Sequence, residues 1–260
     1  MTRRPKVPPQ FEADAHDIVK EALRVMPSPT RRIFLRRGLS LGGLMMLGGC
    51  TLDNNQDIES MLRKVSAWND KAQAWLFDPT RLAPTYPESM ITRPFPFNAF
   101  YGVEDVPHVD AGSYRLAVSG RVTDRRSWDL PRLHAMAQTS QVTRHICVEG
   151  WSAIGKWGGV RFADFLAAVG ADRSAKYVAF KCADDYFTSI DMPTALHPQT
   201  LLTLTYDGQT LPARYGFPMK LRMPTKLGYK NPKHIMAIEV TNTYPGGYWE
   251  DRGYNWFGGS

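Results

Sequence analysis

Apolar residues recur at helical spacing between Asp57 and Phe77. Ile58, Met61, Leu62, Val65, Trp68, Ala72, Trp75 and Leu76 share one stripe, with Asp57, Arg63, Lys64, Asp70 and Lys71 away from it. That period predicts an amphipathic helix, ended by Asp78-Pro79 because proline cannot continue one. The stripe is expected to pack against the main domain. From Arg81 to Pro96 the chain is rich in Pro, Thr and Arg and reads as an extended arm wrapping that domain. The period then shortens. Alternation over Tyr114–Val122 puts Leu116 and Val118 on one face, and further strands are expected at Gln141–Val148, Lys176–Lys181, Tyr186–Ile190, Leu201–Tyr206, Met219–Met223 and His234–Thr241. Asp207-Gly208 is a hairpin turn signal that suits positive φ angles. Two helices are expected, Leu130–Ala137 and Phe162–Val169, the second closed by Gly170. More strand than helix, without βαβ alternation, predicts a β-rich mixed α+β domain.

The chain has 260 residues, enough for one sizeable domain and a leader. Its formal charge of +7 is unevenly placed. Residues 1–50 hold nine Lys and Arg against four acids, which leaves 23 against 21 in the remainder. The body therefore offers no electrostatic footprint for nucleic acid. Thr30-Arg31-Arg32-Ile33-Phe34-Leu35-Arg36 precedes an apolar, Gly-rich run from Gly38 to Gly49. About a dozen residues suit a signal h-region better than a membrane span, which needs about 20. Two arginines followed by Phe-Leu resemble the twin-arginine export motif. Leu47-Gly48-Gly49-Cys50 also resembles a lipobox, so Cys50 is a candidate for lipidation. The expected organisation is a cytoplasmic extension and signal at 1–50, helix and arm at 51–92, and one domain at 93–260.

Three cysteines are too few for a disulfide framework, and the six histidines lack paired spacing for zinc. The informative stretch is Arg144-His145-Ile146-Cys147-Val148-Glu149-Gly150-Trp151-Ser152. A cysteine at a strand end, followed by glycine, presents its thiol where the backbone turns away. Arg144 and His145 are expected to favour the thiolate, the form that binds metals. A buried, inert cysteine is the competing reading of the same residues. Glu149 is a candidate for proton handling beside it.

Cys147-Val148-Glu149-Gly150-Trp151-Ser152, then Trp157-Gly158-Gly159-Val160, resembles the core of the sulfite oxidase superfamily. The similarity is closest to its bacterial protein-methionine-sulfoxide reductase branch. It continues through Asp207-Gly208-Gln209-Thr210-Leu211-Pro212 and Tyr215-Gly216-Phe217-Pro218-Met219-Lys220-Leu221 to Lys230-Asn231-Pro232-Lys233. The resemblance spans roughly Pro94 to Thr241. It implies the superfamily's molybdopterin-binding fold, with molybdenum and molybdopterin as cofactor. Cys147 then matches the thiolate ligand to molybdenum. Asn98, Tyr101 and the adjoining Gly102 match pterin contacts. Cys182 stands where the branch has a threonine, and a thiol donates only weakly. Tyr215 replaces Asn or His, and Lys220 replaces Arg, in the loop that grips the cofactor phosphate. Lys230, Asn231 and Lys233 match its closing segment.

The same resemblance implies two-electron oxygen-atom transfer. No Arg or Lys follows Cys147 until Lys156, so an anion such as sulfite is disfavoured, while Trp151 and Trp157 suit a neutral S- or N-oxide. Sulfite or another sulfur compound undergoing oxidation is the alternative reaction. A non-catalytic exported binding lipoprotein is the alternative from another class. No Cys-x-x-Cys-His is present, so electrons are expected from a membrane cytochrome b or a periplasmic cytochrome c. A monomeric periplasmic catalytic subunit, carried by the twin-arginine translocase and acting on a small or protein-bound oxide, is the expectation. The aromatic run from Tyr244 to Phe257 either docks a partner or folds back.

Overall fold

The computed structural model describes residues 55–259. The twin-arginine motif, the lipobox at Cys50 and the extension before them lie outside the described residues. Leu62–Ser260 form one compact unit and Met1–Met61 another, of which only the first turns of a helix are described.

That helix, α1, runs Asn55–Leu76, close to its expected bounds. Its stripe behaves differently from expectation. Trp68 and Trp75 are 69% and 84% exposed, and Leu62, Val65 and Leu76 are exposed as well. Contact with the domain comes instead through polar residues. Asp70 accepts from the Phe257 amide at 2.8 Å and Gln73 from that of Gly259 at 3.3 Å. Helical period reports which residues share a face, not what that face meets. The arm that follows is tied down by backbone bonds. The Tyr86 amide donates to Val142 and that of Thr92 to Ile154, and Gln199 exchanges two bonds with the Ala83 backbone.

The domain has two sheets. One runs β1 (Ala117–Gly120), β9 (Ile235–Thr241), β4 (Tyr177–Cys182) and β5 (Phe187–Asp191), with β1 and β9 parallel and the other pairs antiparallel. The other is antiparallel: β2 (Gln138–Ile146), β3 (Ser152–Arg161), β6 (Leu201–Tyr206) and β7 (Gln209–Thr210), with β8 (Lys220–Arg222) also on β6. Three short helices lie between strands, α2 (Leu130–His134), α3 (Phe162–Ala168) and α4 (Met192–Leu196). The main core draws Val178, Phe180, Ile238 and Val240 from the first sheet, Val160, Leu202 and Leu221 from the second, and Phe162 and Phe165 from α3, and a smaller cluster gathers Phe95, Trp157, Leu211 and Tyr215. The β6–β7 turn has Asp207 and Gly208 at φ +50° and +79°, as its sequence predicts. Neither β3 nor α4 was expected. β3 is buried along most of both faces, so it shows no alternation to read.

Candidate active site

The β2–β3 hairpin builds the first wall of the site. Regular pairing ends at Ile146 opposite Ser152. The Cys147 amide then donates to Trp151 at 2.9 Å and that of Gly150 to Cys147 at 3.2 Å, so residues 147–150 form a tight turn. The strand therefore stops earlier than expected, and Glu149 returns to Cys147 by that turn rather than by strand alternation. Its Oε2 lies 3.7 Å from Cys147 Sγ and accepts from Trp151 Nε1 at 2.9 Å.

Cys147 is 7% exposed but not sealed in. It lines an open cavity of about 140 Å3 with Val148, Glu149, Asn98, Phe100, Tyr101, Asp184, Tyr186, Gly228, Tyr229, Asn231, Lys233, Trp249 and Tyr254 among its neighbours. Burial pushes the thiol pKa up, and the Glu149 carboxylate adds to the rise. The expected thiolate-favouring neighbours do not act that way. Arg144 turns to the Tyr86 ring, 5.2 Å from its centroid. Burial and the nearby Lys220, Arg222 and Lys233 push His145 well below its ordinary value, so it supplies no positive charge.

Asn98 and Lys233 meet across the cavity. Lys233 Nζ donates to the Asn98 carbonyl at 2.7 Å and lies 4.7 Å from the Phe97 ring centre. The Asn98 amide nitrogen sits 3.4 Å from His145 Nε2. Gly228 allows this approach, because a Cβ there would lie 2.8 Å from His145 Nε2. The Tyr101 hydroxyl donates to Asp184 at 2.9 Å. Gly102 starts a short 3-10 turn and is absent from the cavity lining.

Behind Lys233 stands a buried basic cluster. Lys220 is 2% exposed, and among the described residues its ammonium has no hydrogen bond or ion pair, only the Trp157 ring 4.7 Å away. Burial, then Lys233 and Arg222, push its pKa well down. Arg222 is fully buried and pairs with carbonyls, Asn231 and Thr143, and among the described residues with no carboxylate. Burial also lowers Lys233, to about 8. Arg222 Nε, His145 Nδ1 and His234 Nε2 are buried without partners. Buried charge is costly unless paired. Asp184 acts on Lys233, but among the described residues no carboxylate acts on Lys220 or Arg222, and such a set of buried cations and unused donors fits an anionic group such as a cofactor phosphate.

Other expected contacts are used differently. Lys230 is fully buried but forms an ion pair with Glu250 and bonds to Thr188 Oγ1 and the Ser189 carbonyl, away from the basic cluster. Asn231 braces its own loop, accepting from Arg222 and the Met223 amide and donating to Leu227. Tyr215 packs on Phe95 and Tyr206 and donates to the Phe95 carbonyl at 2.8 Å. Cys182 is buried in the main core at the end of β4, and burial raises its pKa strongly. Trp157 is completely buried, so it cannot meet a substrate. The aromatic residues at the cavity are Phe100, Tyr101, Tyr186, Tyr229, Trp249 and Tyr254. The C-terminal aromatic run signalled two of these.

These features define a β-rich α+β domain with a cysteine on an open cavity beside a buried basic cluster. The family profile described as oxidoreductase molybdopterin binding domain matches residues 103–249, and the chain belongs to that family. It is a molybdopterin-dependent oxidoreductase, with molybdenum and the pterin as cofactor. It is 67% identical over 244 residues to "Putative protein-methionine-sulfoxide reductase subunit YedZ1" of Azospira oryzae, covering 94% of this chain and 93% of that one. It is 30% identical over 217 residues to the protein-methionine-sulfoxide reductase catalytic subunit MsrP of Ralstonia nicotianae, across 72% and 64% of the two chains. The MsrP of Burkholderia mallei matches at 31% over 161 residues, 56% of this chain and 49% of its own. Among solved structures, the sulfane dehydrogenase SoxCD of Paracoccus pantotrophus superposes with a TM-score of 0.50 at 17% identity, over 53% of this chain and 40% of that one. That likeness supports the sulfite oxidase fold.

Proposed function

We propose that this chain is the catalytic subunit of an exported reductase acting on a neutral sulfoxide. The observation that carries the reading is the Cys147 thiol on an open cavity that also reaches Lys233, at the edge of the unpaired basic cluster. In this reading Cys147 is the protein's ligand to molybdenum. Lys220 and Lys233, aided by Arg222, hold the pterin phosphate, and Asn98 and Tyr101 face the pterin. When bound, the cofactor supplies two-electron oxygen-atom chemistry.

The balance is simple: the S–O bond breaks, two protons and two electrons are consumed, and a thioether and water leave. Among the described residues nothing resembles a second redox centre. A separate cytochrome therefore brings the electrons. In this reading the exposed Glu149, 3.7 Å from the sulfur, passes a proton to the departing oxygen. Its carboxylate also disfavours sulfite at this spot, which is the argument for a neutral substrate. Arg31-Arg32 and the apolar run after them support export of the folded chain through the twin-arginine translocase to the periplasm, with Cys50 open to lipidation. No helix among the described residues is long and apolar enough to cross a membrane.

Protein purified from a host that makes the cofactor should contain about one molybdenum and one pterin per chain. It should reduce methionine sulfoxide with a reduced viologen as donor. Cys147→Ser should keep the fold by circular dichroism and lose at least about 100-fold in rate, the size of effect expected when an essential group is removed. Full activity in that variant, or a folded parent free of molybdenum, refutes the assignment.

A further inference from the structure

Helix α1 leaves its apolar face bare. Leu62, Val65, Trp68, Trp75 and Leu76 recur at helical spacing, and all five are exposed. Another face of the helix meets the domain through Asp70 and Gln73, and Phe77, just past its end, packs on the Phe257 ring with centroids 5.6 Å apart. The helix is therefore held in place while nothing among the described residues covers its stripe. Five large apolar side chains on one face exceed the scatter of an ordinary surface, and such a patch marks a contact.

The charges along the helix say what the stripe meets. Between Leu62 and Leu76 the one carboxylate is that of Asp70, already bonded to the domain, and the remaining charges, Arg63, Lys64 and Lys71, are all basic. Lys64 and Lys71 are exposed, and each stands one helical turn before a tryptophan, Trp68 and Trp75 respectively. An apolar face with tryptophans, edged by lysines, is the pattern of a helix lying in a bilayer interface. Four residues separate Cys50 from Asn55, so the two are joined by at most about 18 Å of extended chain. An anchored leader or a lipid on Cys50 therefore brings α1 to a bilayer before any other surface. No helix among the described residues is long and apolar enough to cross a membrane, so α1 would lie on one rather than span it.

We propose that α1 docks the domain on the surface of an anionic phospholipid bilayer, with its apolar stripe among the upper acyl chains and Lys64 and Lys71 at the headgroup phosphates. The proposal rests on the exported, membrane-near location inferred above. Burial of the five apolar side chains supplies most of the attraction, and the two ammonium groups add a salt-dependent part. The helix orients the domain as well as attaching it, because Asp70, Gln73 and Phe77 fix it to the C-terminal residues.

The test uses the purified full chain and vesicles of phosphatidylethanolamine and phosphatidylglycerol whose acyl chains carry bromine, a quencher of tryptophan fluorescence. Residues 1–54 contain no tryptophan, and Trp128 and Trp157 are buried, so the leader adds nothing to the signal. The vesicles should quench the parent, and Trp68→Phe with Trp75→Phe should remove most of that quenching. Leu62→Ser with Leu76→Ser should lower the ratio of inserted to free helix at least about 10-fold, the scale of two aliphatic side chains returning to water. Lys64→Gln with Lys71→Gln should lower it about 10-fold on these vesicles and little on phosphatidylcholine. Every substituted position is exposed, so thermal midpoints and the rate with a reduced viologen should stay at parental values. A chain that stays off the vesicles, or attaches with its tryptophans unquenched, overturns the proposal. A dimer in sedimentation that Leu62→Ser with Leu76→Ser dissociates, without quenching, gives the face to a second copy instead. Cell fractionation that finds the chain in the cytoplasm refutes the export reading, and stripe-dependent quenching would still support the lipid contact.

Discussion

Lys220 and Lys230 are both fully buried ammonium groups, and their surroundings give them opposite uses. Lys230 has an anion of its own, Glu250, so its charge is neutralised inside the protein. Lys220 has only a ring beneath it and two further cations nearby. Such a charge is unfavourable until an external anion arrives. Lys220→Met should therefore leave the cofactor-free protein as stable or more stable, because a desolvated charge disappears. The same change should weaken cofactor retention about 10- to 100-fold, the worth of one charge-assisted hydrogen bond. Pterin content after gel filtration and the thermal midpoint measure both. Retained pterin would remove Lys220 from the phosphate site. At this scale the sequence was legible for Cys147, Asn98, Tyr101 and Lys233, which meet at one cavity. It was not legible for Lys230, because sequence order says nothing of the Glu250 that folds back onto it.

Among the elements, β3 is the one whose chemistry matters most and whose pattern shows least. It pairs with β2 on one side and β6 on the other, carrying the turn that presents Cys147. Its register shifts between Gly158 and Gly159. A Cβ at Gly159 would sit 2.0 Å from the Leu202 carbonyl oxygen, a backbone atom that cannot step aside. Gly159→Ala should cost about 3 kcal/mol or more in urea unfolding, as overpacking and backbone displacement do. A loss below about 1 kcal/mol would mean that the two strands separate there easily. Helix α1 shows the converse case. Its period was plain in the sequence, yet its apolar stripe is exposed while Asp70 and Gln73 hold it to the C-terminal end.

Across the whole molecule, buried bases give the fold a pH dependence. Burial lowers Lys226 to about 7 and Lys233 to about 8, against 10.5 in an unfolded chain. Above those folded values the native lysines are neutral while the unfolded ones still bind protons, so unfolding takes up protons. Stability of the cofactor-free protein should therefore rise between pH 7 and about 10, by up to about 1.4 kcal/mol per pH unit for each lysine. Asp191 and Asp70 temper the effect at Lys226. A bound phosphate restores the proton on Lys233, so the loaded protein should show a shallower rise. Urea titrations at pH 7 and 9.5, with and without cofactor, test this. A flat profile, or a steeper one when loaded, contradicts it.

From sequence alone came the β-rich class, most strand positions, the Asp207-Gly208 turn and the cysteine that faces the cavity. Each is set by local period, turn geometry or a contiguous motif. Tertiary structure decided which lysines lack a carboxylate, which rings reach the cavity, and which face of α1 the domain leaves uncovered. Those outcomes depend on residues far apart in the chain arriving at the same place. Pairing of charge and exposure of apolar surface are properties of that arrival, and no window along the sequence contains them.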